Sequence, residues 1–491
     1  MFNYKVLFVL YSLLLFTIMT KCIALSELST EDGNIDKDDY NCNNQSITLN
    51  FKNIVLSNIG STFIASPLIS CLNLQGNGIS TISPHAFDEL PNLSYLNLTD
   101  NTWNGQQMLY NGGHKSLKTL ILNDVLSWYD MQTSKSSMHI NASYPALEKL
   151  FLRNNRLNEI TGSNEANFPK LLYLDLSHNR IRTFGIHRRY GISNNDFSWL
   201  PKSLKYLQLD NNLLVSLSLT NMNELEFLSI NNNQLESILL QNLDKLQKLS
   251  TTGNMLESMI LKNLNGLKKI SAKDNKLKVL SYNSFQGIPQ LEDLNLANNQ
   301  ISDFDGRIVD FIPKLQNLIL ENNLLTDVPV IRDAPCLQLY SLRCNKISKL
   351  GSNNFNNMPN LKFLDLDNNV IDKINSDTFS HLAKLETLSL GRNSLSILPA
   401  QWMIKLQNLR YLNLEENFFT NIEALELNDS PSLMQLFLQN NPLKYLRAHS
   451  LDLVPANVTI ELDKSLSAMS ECKNNTDDRG YLYSERIYNF Y

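Results

Sequence analysis

Residues 291–301 read LEDLNLANNQI, and residues 315–325 read LQNLILENNLL. The two stretches agree at every leucine-type position and at the asparagine nine places in, Asn299 and Asn323. The same frame, L-x-x-L-x-L-x-x-N-x-L, returns at 147–157 (LEKLFLRNNRL), 171–181 (LLYLDLSHNRI), 225–235 (LEFLSINNNQL), 361–371 (LKFLDLDNNVI) and 409–419 (LRYLNLEENFF). Followed in both directions it gives sixteen units over residues 69–445. The asparagine stands at Asn77, Asn101, Asn155, Asn179, Asn212, Asn233, Asn254, Asn275, Asn299, Asn323, Asn345, Asn369, Asn393, Asn417 and Asn441; Val125 takes its place in the third unit. Self-similarity of this kind marks a stack in which each unit buries its apolar face only against its neighbours.

The pattern has a physical reading. Leu-x-Leu alternation turns both leucines to one side of a short strand, which becomes the core side. The asparagine sits where the chain turns inward and can bond backbone groups that no strand satisfies. Stacked units then form an asparagine ladder, and Val125 predicts a local defect in the third turn. Asn322, one residue before Asn323, is expected to face outward and to tolerate alanine. Most steps between ladder positions are 24 residues, but those to Asn155 and Asn212 are 30 and 33, that to Asn345 is 22, and those to Asn233, Asn254 and Asn275 are 21. On the return path Phe87, Phe285, Phe355 and Phe379 stand six residues before the next unit, predicting an aromatic spine; Leu240, Leu243, Leu261 and Leu264 replace it in the short units. Curvature is expected to change over residues 213–275.

These motifs resemble the extracellular leucine-rich-repeat family in its typical 24-residue class, similar to secreted insect-type members and to Toll-like and chaoptin-like ectodomains. The resemblance covers about residues 69 to 445. It implies an α/β-type solenoid, a curved horseshoe with a parallel β-sheet on the concave face and irregular or 3-10 segments on the convex face. It also implies a disulfide-bearing N-terminal cap over 42–68, here reduced to Cys42 and Cys71, which are expected to bond to each other. The family's C-terminal cap carries four cysteines. Asn441-Pro442-Leu443 begins that motif, yet no quartet follows. Residues 446–472 are therefore expected to close the core with Leu446, Leu451, Leu453, Val458, Ile460 and Leu462.

The ends place the chain in the export pathway. Lys5 precedes an apolar run from Val6 to Met19, too short to span a bilayer comfortably, and Cys22-Ile23-Ala24 supplies a cleavage site. Residues 1–24 read as a signal peptide, 25–41 as an acidic flexible tail and 473–491 as a second flexible tail. No other apolar run is of spanning length. Cleavage removes Lys5 and Lys21, leaving 41 basic against 48 acidic side chains. A nucleic-acid partner, which needs a basic face, is not expected. Sequons at Asn44, Asn92, Asn97, Asn141, Asn428, Asn457 and Asn474 are candidate glycosylation sites. Asn97 is expected to present its glycan on the concave face. Tyr40 follows Glu31, Asp32, Asp36, Asp38 and Asp39, which read as an acidic tail or, alternatively, as a sulfation context.

Five cysteines remain after cleavage, so at least one is left for a homo- or hetero-oligomeric partner or stays free. An extended strand separates Cys336 from Cys344 too far for them to pair. Nothing suggests an enzyme, a metal or a cofactor. The histidines at 85, 114, 139, 178, 187, 381 and 449 fall in different units, and in a solenoid residues distant in sequence stay distant in space. The concave strands carry the binding hypothesis. Their third position holds Tyr95, Tyr173, Tyr206, Phe227, Phe363 and Tyr411, a broken aromatic stripe of the kind that anchors interfaces. Lys248, Lys268, Lys269 and Lys273 make the middle basic; Asp365, Asp367, Glu415 and Glu416 make the later units acidic. The 185–197 insertion, with His187-Arg188-Arg189, reads as a surface loop. The functional expectation is a secreted, non-enzymatic recognition protein whose concave face binds a protein or microbial-surface ligand. The alternatives are a structural component of the extracellular matrix and a circulating inhibitor or carrier.

Overall fold

Eighteen short parallel strands form one continuous sheet, from Ile47–Asn50 to Thr459–Glu461. This computed structural model describes residues 47–61, 63–102, 106–110, 112–125, 137–162, 167–182, 200–220, 222–427, 431–444, 448–455 and 458–462. The expected export signal, both expected tails, Tyr40, Cys42, Asn44, the 185–197 segment, Asn428, Leu446, Asn457 and Asn474 lie outside the described residues. The stack belongs to one compact unit, Asn44–Ser467. The first strand meets Ile69–Asn73 with a register shift between Ile47 and Thr48, and from there on each strand pairs with the next unit's strand in unbroken register: Tyr206 faces Phe227, Phe227 faces Lys248, and Lys248 faces Lys269.

The ladder holds the turns together. Asn323 donates through Nδ2 to Leu320 O at 3.0 Å in its own turn and to Leu296 O at 3.0 Å in the turn before. Its Oδ1 accepts the amide of Ile301 at 2.9 Å. The same links recur at Asn101, Asn179, Asn299, Asn393 and Asn417. At the third turn Val125 is fully buried and offers only its own amide, which Asn155 Oδ1 accepts at 2.8 Å. The segments that would show the effect of this missing side chain, 103–105 and 126–136, lie outside the described residues.

A second constraint was hidden in the same motif. In all sixteen units the residue just before the ladder position has a φ between +49° and +71°. Glycine, Asn or Asp fills most of these positions, as left-handed backbone favours, but His178, Cys344, Arg392 and Glu416 adopt it too. Asn322 is one of them, at φ +50°, and donates to Asn298 Oδ1 at 2.9 Å. The expectation that it tolerates alanine is corrected: a Cβ without a compensating side-chain amide is strained there.

Behind the sheet the leucines are almost wholly buried, and the spine forms as expected. Phe355 and Phe379 stack at 5.9 Å, and Phe379 meets Trp402 edge-on at 5.9 Å. Tyr340 occupies a leucine position, fully buried, and its hydroxyl has no hydrogen-bond partner. The convex side departs from the irregular or 3-10 expectation in the short units. Ser216–Thr220, Ser237–Gln241 and Ser258–Lys262 are strands of a second parallel sheet, completed by Phe285–Gln286. Leu217 and Leu219, Ile238 and Leu240, Met259 and Leu261 alternate inward. A 21-residue unit leaves too little chain for a loop there, and this alternation suits an extended path. 3-10 segments at Tyr282–Ser284, Gly306–Phe311 and Glu423–Leu425 serve other units.

At the C-terminal end Leu443, Val454, Val458 and Ile460 pack on the core. Leu451 and Leu462, expected to join them, are 46% and 43% exposed: Leu451 ends a four-residue helix and Leu462 follows the last described strand. Cys71 and Cys344 are each disulfide-bonded, to partners outside the described residues, and Cys336 is free and half-buried, in line with the expectation that Cys336 and Cys344 do not pair with each other.

Two stability measurements check this account. Asn323→Ala should lower unfolding free energy in denaturant by about 1–3 kcal/mol, whereas Asn322→Gly should stay within about 0.5 kcal/mol and Asn322→Ala should lose about 1 kcal/mol; equal losses for all three would contradict the register. Tyr340→Phe should raise stability by about 1 kcal/mol, because it removes an orphaned buried hydroxyl at little change of shape.

Candidate binding surface on the concave sheet

Short strands present three side-chain rows to the concave side: the third, fifth and seventh positions of the unit. The third-position row runs Tyr95, Thr119, Lys149, Tyr173, Tyr206, Phe227, Lys248, Lys269, Asp293, with neighbours in direct register. Of the six predicted aromatics the fold brings three together. Tyr173 and Tyr206 lie 6.1 Å apart between ring centres, and Tyr206 and Phe227 6.4 Å. Phe151, a fifth-position residue overlooked in the sequence, extends the run at 5.0 Å from Tyr173. Tyr95 is separated from it by Thr119 and Lys149; Phe363 and Tyr411 stand farther along, divided from each other by Thr387. Tyr173 is only 4% exposed, so it packs as the middle of the run, while Tyr206 is 38% exposed.

Lys248 continues the run, its Nζ 5.4 Å from the Phe227 ring centre, a cation-π contact. Lys269 follows and pairs with Asp293 at 2.8 Å. Beyond the near end, Thr99, Asn123, Asp124, Arg153, Asn154 and His178 line a polar hollow of about 330 Å³. Burial holds the His178 imidazole below its ordinary range, with Arg153 adding to the effect, and holds the Asp124 carboxyl above its own.

The fifth position carries a structural duty. Wherever it is Asn or Asp, the side-chain oxygen accepts the amide two residues on: Asn73 from Gln75, Asn97 from Thr99, Asp175 from Ser177, Asn295 from Ala297, Asp365 from Asp367, Asn413 from Glu415, at 2.8–3.1 Å. This local bond, familiar from Asx-turns, satisfies an amide at the strand end. Asn97 is accordingly 7% exposed, which weighs against the concave glycan expected there. The sequon residues Asn92 and Asn141 are exposed.

The later acidic group is not an open patch. Asp365, Asp367 and Glu415 are 8%, 0% and 6% exposed. Arg343 and Arg392 flank Asp367 Oδ2 at 3.5 and 3.6 Å, and Arg392 reaches Glu415 and Glu416 at 3.6 and 3.3 Å. Both Asp367 oxygens lack a hydrogen bond. Burial, then the charges of Asp367 and Glu321, push Asp365 up to about 7, with Arg343 opposing. Burial raises Asp367 as well, against the pull of both arginines. A carboxylic acid whose folded pKa is raised stabilises the fold when protonated and loses that stability as pH climbs from its ordinary value toward the raised one. Asp365→Asn keeps the bond from Asp367 N and removes the buried charge. Its melting temperature should exceed the parent's above pH 7, and the gain should shrink as pH falls toward 4; a gain independent of pH would contradict the buried-charge assignment.

Among the described residues no group of His, Cys, Asp or Glu is placed to hold a metal ion, and no helix is long and apolar enough to cross a membrane. The surface is a row of rings and cations on a rigid sheet, suited to contact. Comparison with known proteins agrees with the architecture. The leucine rich repeat profile matches residues 45–102, 145–188, 254–301, 265–325, 335–395 and 384–443, more than half of the chain. Fibromodulin of Oryctolagus cuniculus and of Sus scrofa is 31% identical over 138 residues, 28% of this chain and 85% of the relative. A leucine-rich-repeat protein of Leptospira interrogans superposes with a TM-score of 0.56 at 24% identity, over 80% of this chain and 95% of that one. A chain of the Drosophila Toll–Spätzle complex does so with a TM-score of 0.61 at 18% identity, over 82% of this chain and 55% of that one. By its repeats, its sheet and these matches, the chain belongs to the leucine-rich-repeat family.

Proposed function

We propose that this is a secreted, glycosylated recognition protein that binds a protein or microbial-surface ligand through the concave sheet and performs no chemistry on it. The observation that carries the reading is the contiguous run Phe151–Tyr173–Tyr206–Phe227 ending in Lys248. Aromatic rings give large contact area at small cost in side-chain entropy, and interface energy concentrates in such residues. The run lies in a stretch with no sequon between Asn141 and Asn428, so glycans leave it bare. The apolar run 6–19 and the Cys22-Ile23-Ala24 cleavage site support export.

The test is a selection of binders from a displayed library on the immobilised mature chain. Tyr206→Ala with Phe227→Ala should weaken the selected binders by roughly thirtyfold or more, since truncating an interface anchor typically costs about 2 kcal/mol. Leu239→Ser with Ile260→Ser, on the exposed face of the convex sheet, should leave them unchanged. Loss in the convex variant with retention in the aromatic one would contradict the concave reading.

A further inference from the structure

We propose that the polar hollow beyond the near end of the aromatic run binds one uncharged pyranose, the terminal sugar of an oligosaccharide. The proposal rests on the concave-face reading above and names the chemistry of one ligand group there.

The hydrogen-bonding groups are the first argument. Arg153 Nη2 and Asn211 Nδ2 both approach His178 Nε2, at 3.2 and 3.3 Å. A guanidinium can only donate, so Nε2 accepts, and the imidazole is neutral with its proton on Nδ1. Asn123 Oδ1 accepts Arg153 N at 2.8 Å, and Asp124 Oδ1 accepts from Asn154 Nδ2. These bonds fix the side chains and leave other groups unmet among the described residues: both N–H of Asn123 Nδ2, Asp124 Oδ2, Asn154 Oδ1, His178 Nδ1–H and the Thr99 hydroxyl. Donors and acceptors thus stand side by side across neighbouring turns. Each sugar hydroxyl both donates and accepts, so adjacent hydroxyls of a pyranose meet such a mixture. An anion is disfavoured, because the guanidinium faces a neutral imidazole and the Asp124 carboxylate repels like charge.

Shape is the second argument. The hollow holds about 330 Å³, at the small end of ligand pockets, which run ~300–1,000 Å³. Asp124, Asn154 and His178 have φ of +53°, +58° and +56°, a backbone fixed by the stack, so little ordering is lost on binding. An apolar wall is the third. Leu152 is buried in the core, so Phe151 and Arg153 on either side of it leave the same side of the chain. The Phe151 ring is half-buried and backed by Tyr173 at 5.0 Å. A pyranose has a C–H face as well as a hydroxyl rim, and C–H groups pack on the electron-rich face of an aromatic ring.

Titration of the mature chain with methyl glucoside, galactoside, mannoside and N-acetylglucosaminide, followed by saturation-transfer NMR, decides it. At least one should bind with a Kd of about 1 mM, the affinity a ligand of that size reaches. Methyl glucuronide, which differs from the glucoside by a carboxylate, should bind at least about tenfold more weakly than the best of them. Asn123→Asp keeps the acceptor for Arg153 N and removes both amide donors; Asn154→Gly suits the left-handed backbone and removes Oδ1. Together they should weaken the sugar by about tenfold or more, and Thr99→Val, which removes only a hydroxyl, by severalfold. Fragments of microbial cell-wall polysaccharide and N-glycans released from glycoprotein, each ending in the sugar that binds, identify its source, and binding of either through the hollow supports the proposal. No binding of any neutral pyranoside far above millimolar concentration, tighter binding of the glucuronide, or binding unchanged by the three substitutions would each overturn it. If library-selected binders depend on Tyr206 and Phe227 while no pyranoside binds, the concave reading stands and the sugar site falls. If a pyranoside binds through the hollow while selected binders ignore the ring variant, the sugar site stands and the ring-row reading falls.

Discussion

Every turn of the repeat stack but the third, where Val125 stands, depends on a carboxamide at the point where the chain folds inward. Asn323 closes its own turn through Leu320 O, reaches back to Leu296 O and accepts the amide of Ile301. One side chain thus meets three backbone groups: the Ile301 amide would otherwise be buried without a partner, at a cost of about 1–3 kcal/mol, while Leu320 O is shared with Asn345 Nδ2 and Leu296 O with Asn299 Nδ2. Because two of the three belong to the preceding turn, the side chain also fixes the register between turns. The left-handed residue just before it is the geometric condition for that reach, and it holds even where the residue is arginine, glutamate, histidine or cysteine. Strain at those positions persists because the stack on either side over-determines it.

Fixed register is what converts sequence spacing into a surface. Once the leucines are committed to the core, the third-position residues of successive units must line up, and Tyr173, Tyr206, Phe227 and Lys248 become neighbours though 33, 21 and 21 residues separate them in sequence. The same logic sets Arg343 and Arg392 on either side of Asp367, turning a run of acidic residues into a buried ion-pair network. Such a network is weak evidence for stability, since desolvation offsets much of the attraction. Its raised carboxyls are consistent with that balance.

The ladder, the leucine core and the phenylalanine spine were legible in the sequence because each follows from a repeated residue at a repeated offset. Other features carried weaker signals. Asparagine or aspartate recurs at the fifth position in Asn73, Asn97, Asp175, Asn295, Asp365 and Asn413, but their bonds to the amide two residues on leave no trace in hydropathy, so Asn97 looked like an outward glycan site. The positive φ at Asn322 comes from the turn's geometry rather than from its side chain. The convex sheet could be inferred only by asking what a 21-residue unit does with three fewer residues. Tyr173 reads as an exposed ring until its ring neighbours Phe151 and Tyr206 are placed beside it. For the acidic residues, charge was readable but the facing arginines were not, because pairing across units needs the strand register.

The most direct test of the ladder is native-state hydrogen exchange at the amide of Ile301, whose partner is the side chain of Asn323 one turn away. In the parent chain this amide should be protected like Leu296 N, which bonds Ile319 O within the backbone framework. In Asn323→Ala, protection at Ile301 should fall by orders of magnitude more than at Leu296. Unchanged protection at Ile301, or an equal loss at both amides, would contradict the claim that one buried carboxamide per turn joins the stack.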